Sequence, residues 1–144
     1  MKVPELKIKV TRSKGDLVTI KNSKSVFEIL QNCFDHDSIY FTEEMILLAL
    51  NRRNHVIGYF RLSKGGTSAT ILDNKVVFSI LLNCGAHSFI LAHNHPSGDT
   101  SPSQEDKDIT YNIKKAGKLL DINLLDHLVC SETEYYSFAD NGLL

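Results

Sequence analysis

The stretch FILAHNHPSGDTSPSQED, residues 89–106, decides how this chain is read. It opens as a short apolar run of the kind that fills a buried strand, and it closes that run on His93 and His95. On an extended backbone, residues two apart project to the same side. Both imidazoles can therefore reach one ion while Asn94 points away. A loop rich in Pro, Ser and Gly follows, then Ser101-Pro102-Ser103-Gln104, which predicts a helix start. Ser101 is the expected N-cap, Pro102 the first helical residue and Gln104 the capping-box partner. On that helix Ser103 and Asp106 lie three apart and share a face. Two His nitrogens and one carboxylate oxygen form a three-ligand set typical of zinc hydrolysis sites, with the fourth position open to water. Zinc suits this set better than magnesium or calcium, which favour oxygen ligands.

The same residues admit plainer readings. A lone H-x-H in a loop is a weak signal. Ser103 could serve only the helix start, and Asp106 could simply favour the helix dipole. The tripeptide His-Asn-His also invites a nuclease label, but that label rests on residues dispersed over a longer ββα unit.

Working outward, Ser88 to Ala92 predicts the buried strand and the helix after the loop runs to about Leu120, with Ile109, Ile113, Ala116 and Leu120 inward. Upstream, FTEEMILLALN (41–51) is apolar on both faces: Met45, Leu47 and Ala49 on one, Ile46, Leu48 and Leu50 on the other. That pattern predicts a central strand covered on both sides. Glu43 and Glu44 stand at its beginning. Residues 55–63 return as a second strand, Lys64-Gly65-Gly66 is a loop, and Thr67 to Leu72 reads as another strand. Asn74 to Cys84 carries Val76, Val77, Ile80, Leu81 and Cys84 on a helical stripe, stopped at Gly85. Near the start, Leu6–Val10 and Leu17–Ile20 read as a strand hairpin, and Ser23 as the cap of a helix from Lys24 to about Phe34. Asn123–Cys130 and Glu134–Phe138 close the chain as strands. Hairpin-linked strands mixed with helices indicate α+β, a mixed sheet flanked by helices.

The 144 residues suffice for one core, and 42% hydrophobic with 23% charged residues is a globular composition. A formal net charge of −1 gives no support to broad electrostatic binding of nucleic acid, although a local basic patch stays open. The three cysteines, Cys33, Cys84 and Cys130, are dispersed and form no C-x-x-C pair, the pattern of reduced thiols in a cytoplasmic protein. No signal peptide or membrane span is expected.

Hydrolysis needs a base for the attacking water, usually a carboxylate outside the ligand set. Glu43 is the best-placed candidate, and Ser103 could donate to a developing oxyanion. The residues from His93 to Asp106 read H-x-H-x7-S-x2-D with an upstream Glu. The pattern resembles the JAMM (JAB/MPN+) metalloproteases. With LLDHLV and YYSFADNGLL downstream, it is similar more narrowly to the JAB domain of RadC-like proteins. The resemblance covers roughly residues 22–144, leaving 1–21 as an N-terminal strand extension.

The resemblance implies zinc held by His93, His95 and Asp106, Glu43 as general base with Glu44 as the register alternative, and Ser103 as oxyanion helper. It implies an MPN fold with a cytidine deaminase-like outline and a peptide or isopeptide substrate. His127 falls in a family phrase and is expected either to orient a ligand or to be a satisfied core histidine. Relatives often carry a helix-hairpin-helix region. The residues before the domain here read as strands, so a DNA-processing role attributed through that region gains nothing from them. A DNA-directed protein and a non-catalytic MPN scaffold are the alternatives to a hydrolase.

Overall fold

The computed structural model describes residues 1–65 and 72–144. Its elements run α1 (Ser23–Leu30), β1 (Glu44–Leu50), β2 (Val56–Lys64), α2 (Asn74–Asn83), β3 (Ser88–Asn94), α3 (Gln104–Leu119), β4 (Asn123–Cys130) and β5 (Tyr135–Ser137). The expected strand at Thr67–Leu72 lies, apart from Leu72, outside the described residues. Five strands form one mixed sheet in the order β2-β1-β3-β4-β5. Among the described residues only β3 and β4 are parallel, joined by the α3 crossover, and the other pairs are antiparallel. The α+β expectation holds.

The alternation read from 41–51 is realised as two cores. Ile46, Leu48 and Leu50 of β1 join Ile90, Ala92, Leu128 and Cys130 under α1, with Val26 and Leu30. Met45, Leu47 and Ala49 join Phe89 and Leu91 under α2 and α3, with Val77, Phe78, Leu81 and Ile113. Every residue of β1 and of β3 is buried, which is what apolar side chains on both faces of a central strand require. At the back of α3, Gly117 lets the helix touch the chain entering β4: a Cβ there would stand 2.3 Å from the Ile122 carbonyl oxygen.

Several local expectations are corrected. Residues 1–18 form no strand among the described residues, and Leu6 and Ile8 are exposed. Alternation alone gave the segment no sheet edge to pair with. Only Thr19 bridges, to His55, flanked by hydrogen bonds from Ile20 N to Asn54 O and Val56 N to Val18 O. The cap of α1 is Asn22, in a reciprocal box with Ser25, while the Ser23 hydroxyl hydrogen-bonds Asp140. The cap of α3 is Ser103, not Ser101, and its partner is Asp106, not Gln104. The inward face also differs from the expected one: Asp106, Thr110, Ile113 and Gly117 are buried, Ile109 and Ala116 are half-buried, and Leu120 is exposed. In α2, Val76 is exposed and Phe78 takes the inward place.

Candidate metal centre

The alternation that sorts the core also sorts the polar residues at the strand ends. Antiparallel pairing sets Met45 opposite His93. Continuing that register by one same-face step sets Glu43 across from His95, on the side where α3 lies. One acceptor atom each from Glu43, His93 and His95 lies within 4.8 Å of the others. The helix adds Asp106, whose Oδ1 is 3.2 Å from His93 Nε2 and whose Oδ2 is 3.3 Å from His95 Nε2. The two Nε2 atoms are 3.1 Å apart.

Hydrogen-bond bookkeeping shows what these atoms offer. His95 Nδ1 lies 2.7 Å from the Asp99 carbonyl oxygen, which can only accept, so the Nδ1 proton donates there and the neutral ring carries its lone pair on Nε2. His93 Nδ1 meets His127 Nε2 at 2.8 Å, and His127 Nδ1 meets the Thr110 hydroxyl at 2.6 Å. The Thr110 hydroxyl donates in turn to the Asp106 carbonyl at 2.6 Å. Followed back from that carbonyl, the chain makes His127 a donor through Nδ1 and His93 a donor through Nδ1. His93 Nε2 is then also bare.

With both imidazoles neutral, two lone pairs and a carboxylate face one another. The two imidazole nitrogens, 3.1 Å apart, match the ~3.3 Å edge of a tetrahedron of ligands at zinc distances, and each stands 3.2 to 3.3 Å from a different oxygen of the Asp106 carboxylate. The donor set fits a cation, and a borderline-soft one.

Electrostatics agree. Burial would raise the Asp106 carboxyl, but the His93 and His95 rings against it and the Ser103 N–H outweigh it. The group is held well below the usual carboxylate range. The neighbouring Asp106 raises His95 against the opposing pull of burial, with help from the Asp99 carbonyl and Glu43. Burial, reinforced by the neighbouring histidines, holds His127 well below the ordinary imidazole value and so neutral.

Asp106 and Ser103 owe their positions to the helix start. The Ser103 hydroxyl oxygen accepts from Asp106 N at 3.0 Å, and Asp106 Oδ2 accepts from Ser103 N at 2.8 Å. The cap and the candidate ligand are thus one device. The Ser103 hydroxyl proton has no acceptor among the described residues and stands next to the site.

The opposite face holds a different cluster. Asn94 is buried and its side chain ties the end of β3 to the segment before β1. It accepts from Glu44 N at 2.7 Å and donates to Ile39 O at 2.8 Å and Thr42 O at 2.9 Å. Glu44, 2% exposed, accepts from Asp35 N and faces Arg61 at 3.6 Å and Lys64 at 3.3 Å. The structure thus separates the two carboxylates that sequence left open: Glu43 lies with the histidines and Glu44 turns away. The three thiols are unsuited to nucleophilic chemistry. Burial pushes the Cys33 thiol up to about 11 and raises Cys130 and Cys84 as well.

Comparison with known proteins gives the family. The family model described as RadC-like JAB domain matches residues 20–143. A UPF0758 protein of Flavobacterium johnsoniae is 48% identical over 127 residues, 88% of this chain and 54% of that protein. One from Symbiobacterium thermophilum is 41% identical over 127 residues, covering 88% and 53%. One from Escherichia coli is 45% identical over 102 residues, covering 71% and 64%. The chain belongs to the RadC-like JAB family, and it spans about half the length of the first two of these relatives.

Proposed function

We propose that this RadC-like JAB chain is a zinc-dependent hydrolase of amide or isopeptide bonds. The observation that carries the reading is the meeting of His93 Nε2 and His95 Nε2, 3.1 Å apart, with the Asp106 carboxylate, whose Oδ1 is 3.2 Å from the first and Oδ2 3.3 Å from the second, and with Glu43 from the neighbouring strand beside the histidines. His93, His95 and Asp106 are the proposed ligands. Zinc bound there would lower the pKa of water and polarise the scissile carbonyl.

The chain's own residues account for the rest. The Glu43 carboxylate takes a proton from the attacking water and returns it to the leaving amine, for which a carboxylate within reach is the usual solution. The Ser103 hydroxyl, engaged only as an acceptor by its helix cap, donates to the carbonyl oxygen as charge develops on it. The substrate is proposed to be a peptide or an isopeptide-linked protein. The free thiols of Cys33, Cys84 and Cys130 suit a reducing compartment, and the cytoplasm is the proposed location. No helix among the described residues is long and apolar enough to cross a membrane.

The test is metal analysis of the purified chain together with hydrolysis assays over peptide, isopeptide and nucleic-acid substrates, wild type beside Glu43→Gln. The reading expects about one zinc per chain and chelator-sensitive amide cleavage lost in Glu43→Gln. Nucleic-acid cleavage lost in His95→Ala would replace it with the DNA-processing alternative. A chain that takes up no metal on reconstitution would favour a scaffold.

A further inference from the structure

The polar chain behind His93 has two possible directions, and one hydroxyl chooses between them. Thr110, His127 and His93 are all buried, at 2%, 0% and 0% exposure, so none can exchange its partner for solvent. Consecutive atoms meet at 2.6 and 2.8 Å. Thr110 stands one helical turn after Asp106, and its hydroxyl proton has two acceptors in reach: the Asp106 carbonyl at 2.6 Å and His127 Nδ1 at 2.6 Å. Given to the carbonyl, the proton leaves the threonine oxygen to accept from His127 Nδ1. His127 Nε2 then accepts from His93 Nδ1, and His93 Nε2 is bare. Given to His127, it reverses every bond, and His93 carries its proton on Nε2, pointed at Asp106 Oδ1 3.2 Å away. The second state has the same number of protons and cannot bind a metal through His93.

We infer that Thr110 and His127 are positioning residues that hold His93 in the metal-accepting tautomer, with the Asp106 main-chain carbonyl anchoring the relay. Asp106 thereby acts twice: its carboxylate faces the centre while its carbonyl oxygen, one helical turn behind, directs the tautomer of the histidine opposite. The stacked Phe138 ring, 5.0 Å from His127 and 13° from parallel, keeps the imidazole in plane for both bonds. Outer partners of this kind typically change metal affinity by roughly 10- to 100-fold when removed.

The inference rests on the zinc reading, and the experiment separates the two. Nitrogen-15 spectra of the histidine rings in the metal-free protein report the tautomers directly. The wild type is expected to show Nδ1–H at both His93 and His127, and Nε2–H at either ring would overturn the inference whether or not zinc binds. Thr110→Val, similar in size but lacking the oxygen, leaves the His127 Nδ1 proton without an acceptor. It is expected to drive His127 and then His93 to Nε2–H and to weaken zinc, measured by chelator competition, roughly 10- to 100-fold. Thr110→Ser should restore both readouts. Zinc affinity within twofold of wild type in Thr110→Val, with the His93 tautomer unchanged, would overturn the relay while leaving the zinc reading intact. A wild type that shows the expected tautomers but binds no zinc would overturn the zinc reading instead. If Thr110→Val does not fold, the wild-type tautomers and the Thr110→Ser affinity carry the test.

Discussion

Two polar clusters sit one residue apart on the same two strands and are opposite in kind. Toward α3, Glu43, His93, His95 and Asp106 present more acceptors than donors. Toward α1, Asn94 and Glu44 are balanced in charge: the amide is held by three main-chain groups, and the carboxylate is charge-paired with Arg61 and Lys64 and accepts the Asp35 N–H at Oε2, while its buried Oε1 faces Lys64 without a hydrogen bond. A single step along β1 or β3 separates a surplus from a balance. In a fold that buries both faces of its central strands, polar groups are compensated unless something else is meant to compensate them. The uncompensated cluster is where a ligand belongs, and the balanced one holds it in place.

The sharpest way to break this contrast is to remove a member of the surplus. His93→Ala and Asp106→Asn are expected to weaken zinc by more than the roughly 100-fold typical of outer partners, measured by chelator competition. Retained stoichiometric binding in either would move the site elsewhere. Next, Glu43→Gln should keep its zinc and lose turnover by roughly 100- to 10,000-fold, the range of a positioned general base. Asn94→Ala crosses from one cluster to the other. It frees the segment that carries Glu43, so turnover should fall roughly 10- to 100-fold as the carboxylate shifts, with zinc affinity little changed and stability reduced by about 1–3 kcal/mol. Unchanged kcat there would show that Glu43 is held by other means.

Smallest is Glu44→Gln. Its partners Arg61 and Lys64 are 37% and 41% exposed, so water screens the pair and the loss should be about 1 kcal/mol in denaturant unfolding. Turnover should stay near wild type. If Glu44→Gln abolished the proposed turnover and Glu43→Gln did not, the two faces would have been assigned backwards.

The pH dependence follows from His95. Its proton is held above the ordinary value of ~6.5 by Asp106. A cation must displace that proton, so zinc affinity should fall as pH drops through the raised value, while Asp106 stays ionised well below it. The metal-free protein behaves in the opposite sense. A raised histidine contributes pairing stability that is complete below ~6.5 and is lost as pH rises through the folded-state value. Thermal unfolding of metal-free wild type and His95→Gln across that window should show the slope in the first alone.

Much of this was legible in the sequence because it depended on alternation. The two faces of β1, the burial of β3 and the same-side placement of His93 and His95 follow from a period of two. Glu43 and Glu44 could not be separated, since choosing between them needs the Met45–His93 register, a property of two strands. The helix starts were misplaced for a chemical reason. Both boxes use unusual partners, Ser25 for Asn22 and Asp106 for Ser103, where a search for Glu or Gln at the third position looks elsewhere. That error hid Thr110. Once α3 begins at Gln104, a polar residue one turn after Asp106 falls on the buried face, and this was the available signal. The N-terminal alternation misled in the other direction, because pattern without a partner edge makes no strand.

The capping box of α3 bears on the order in which the site assembles. His93, His95 and Asp106 are brought together by closing one short loop and one helical turn, contacts local in sequence. Glu43 arrives only when β1 pairs with β3, which closes a chain of about fifty residues and is entropically dearer and slower. A folding chain should therefore acquire its affinity for the ion before its reactivity. Zinc present during refolding would then act as a nucleus that captures the half-built site, and chemistry would switch on only when the central sheet closes over it.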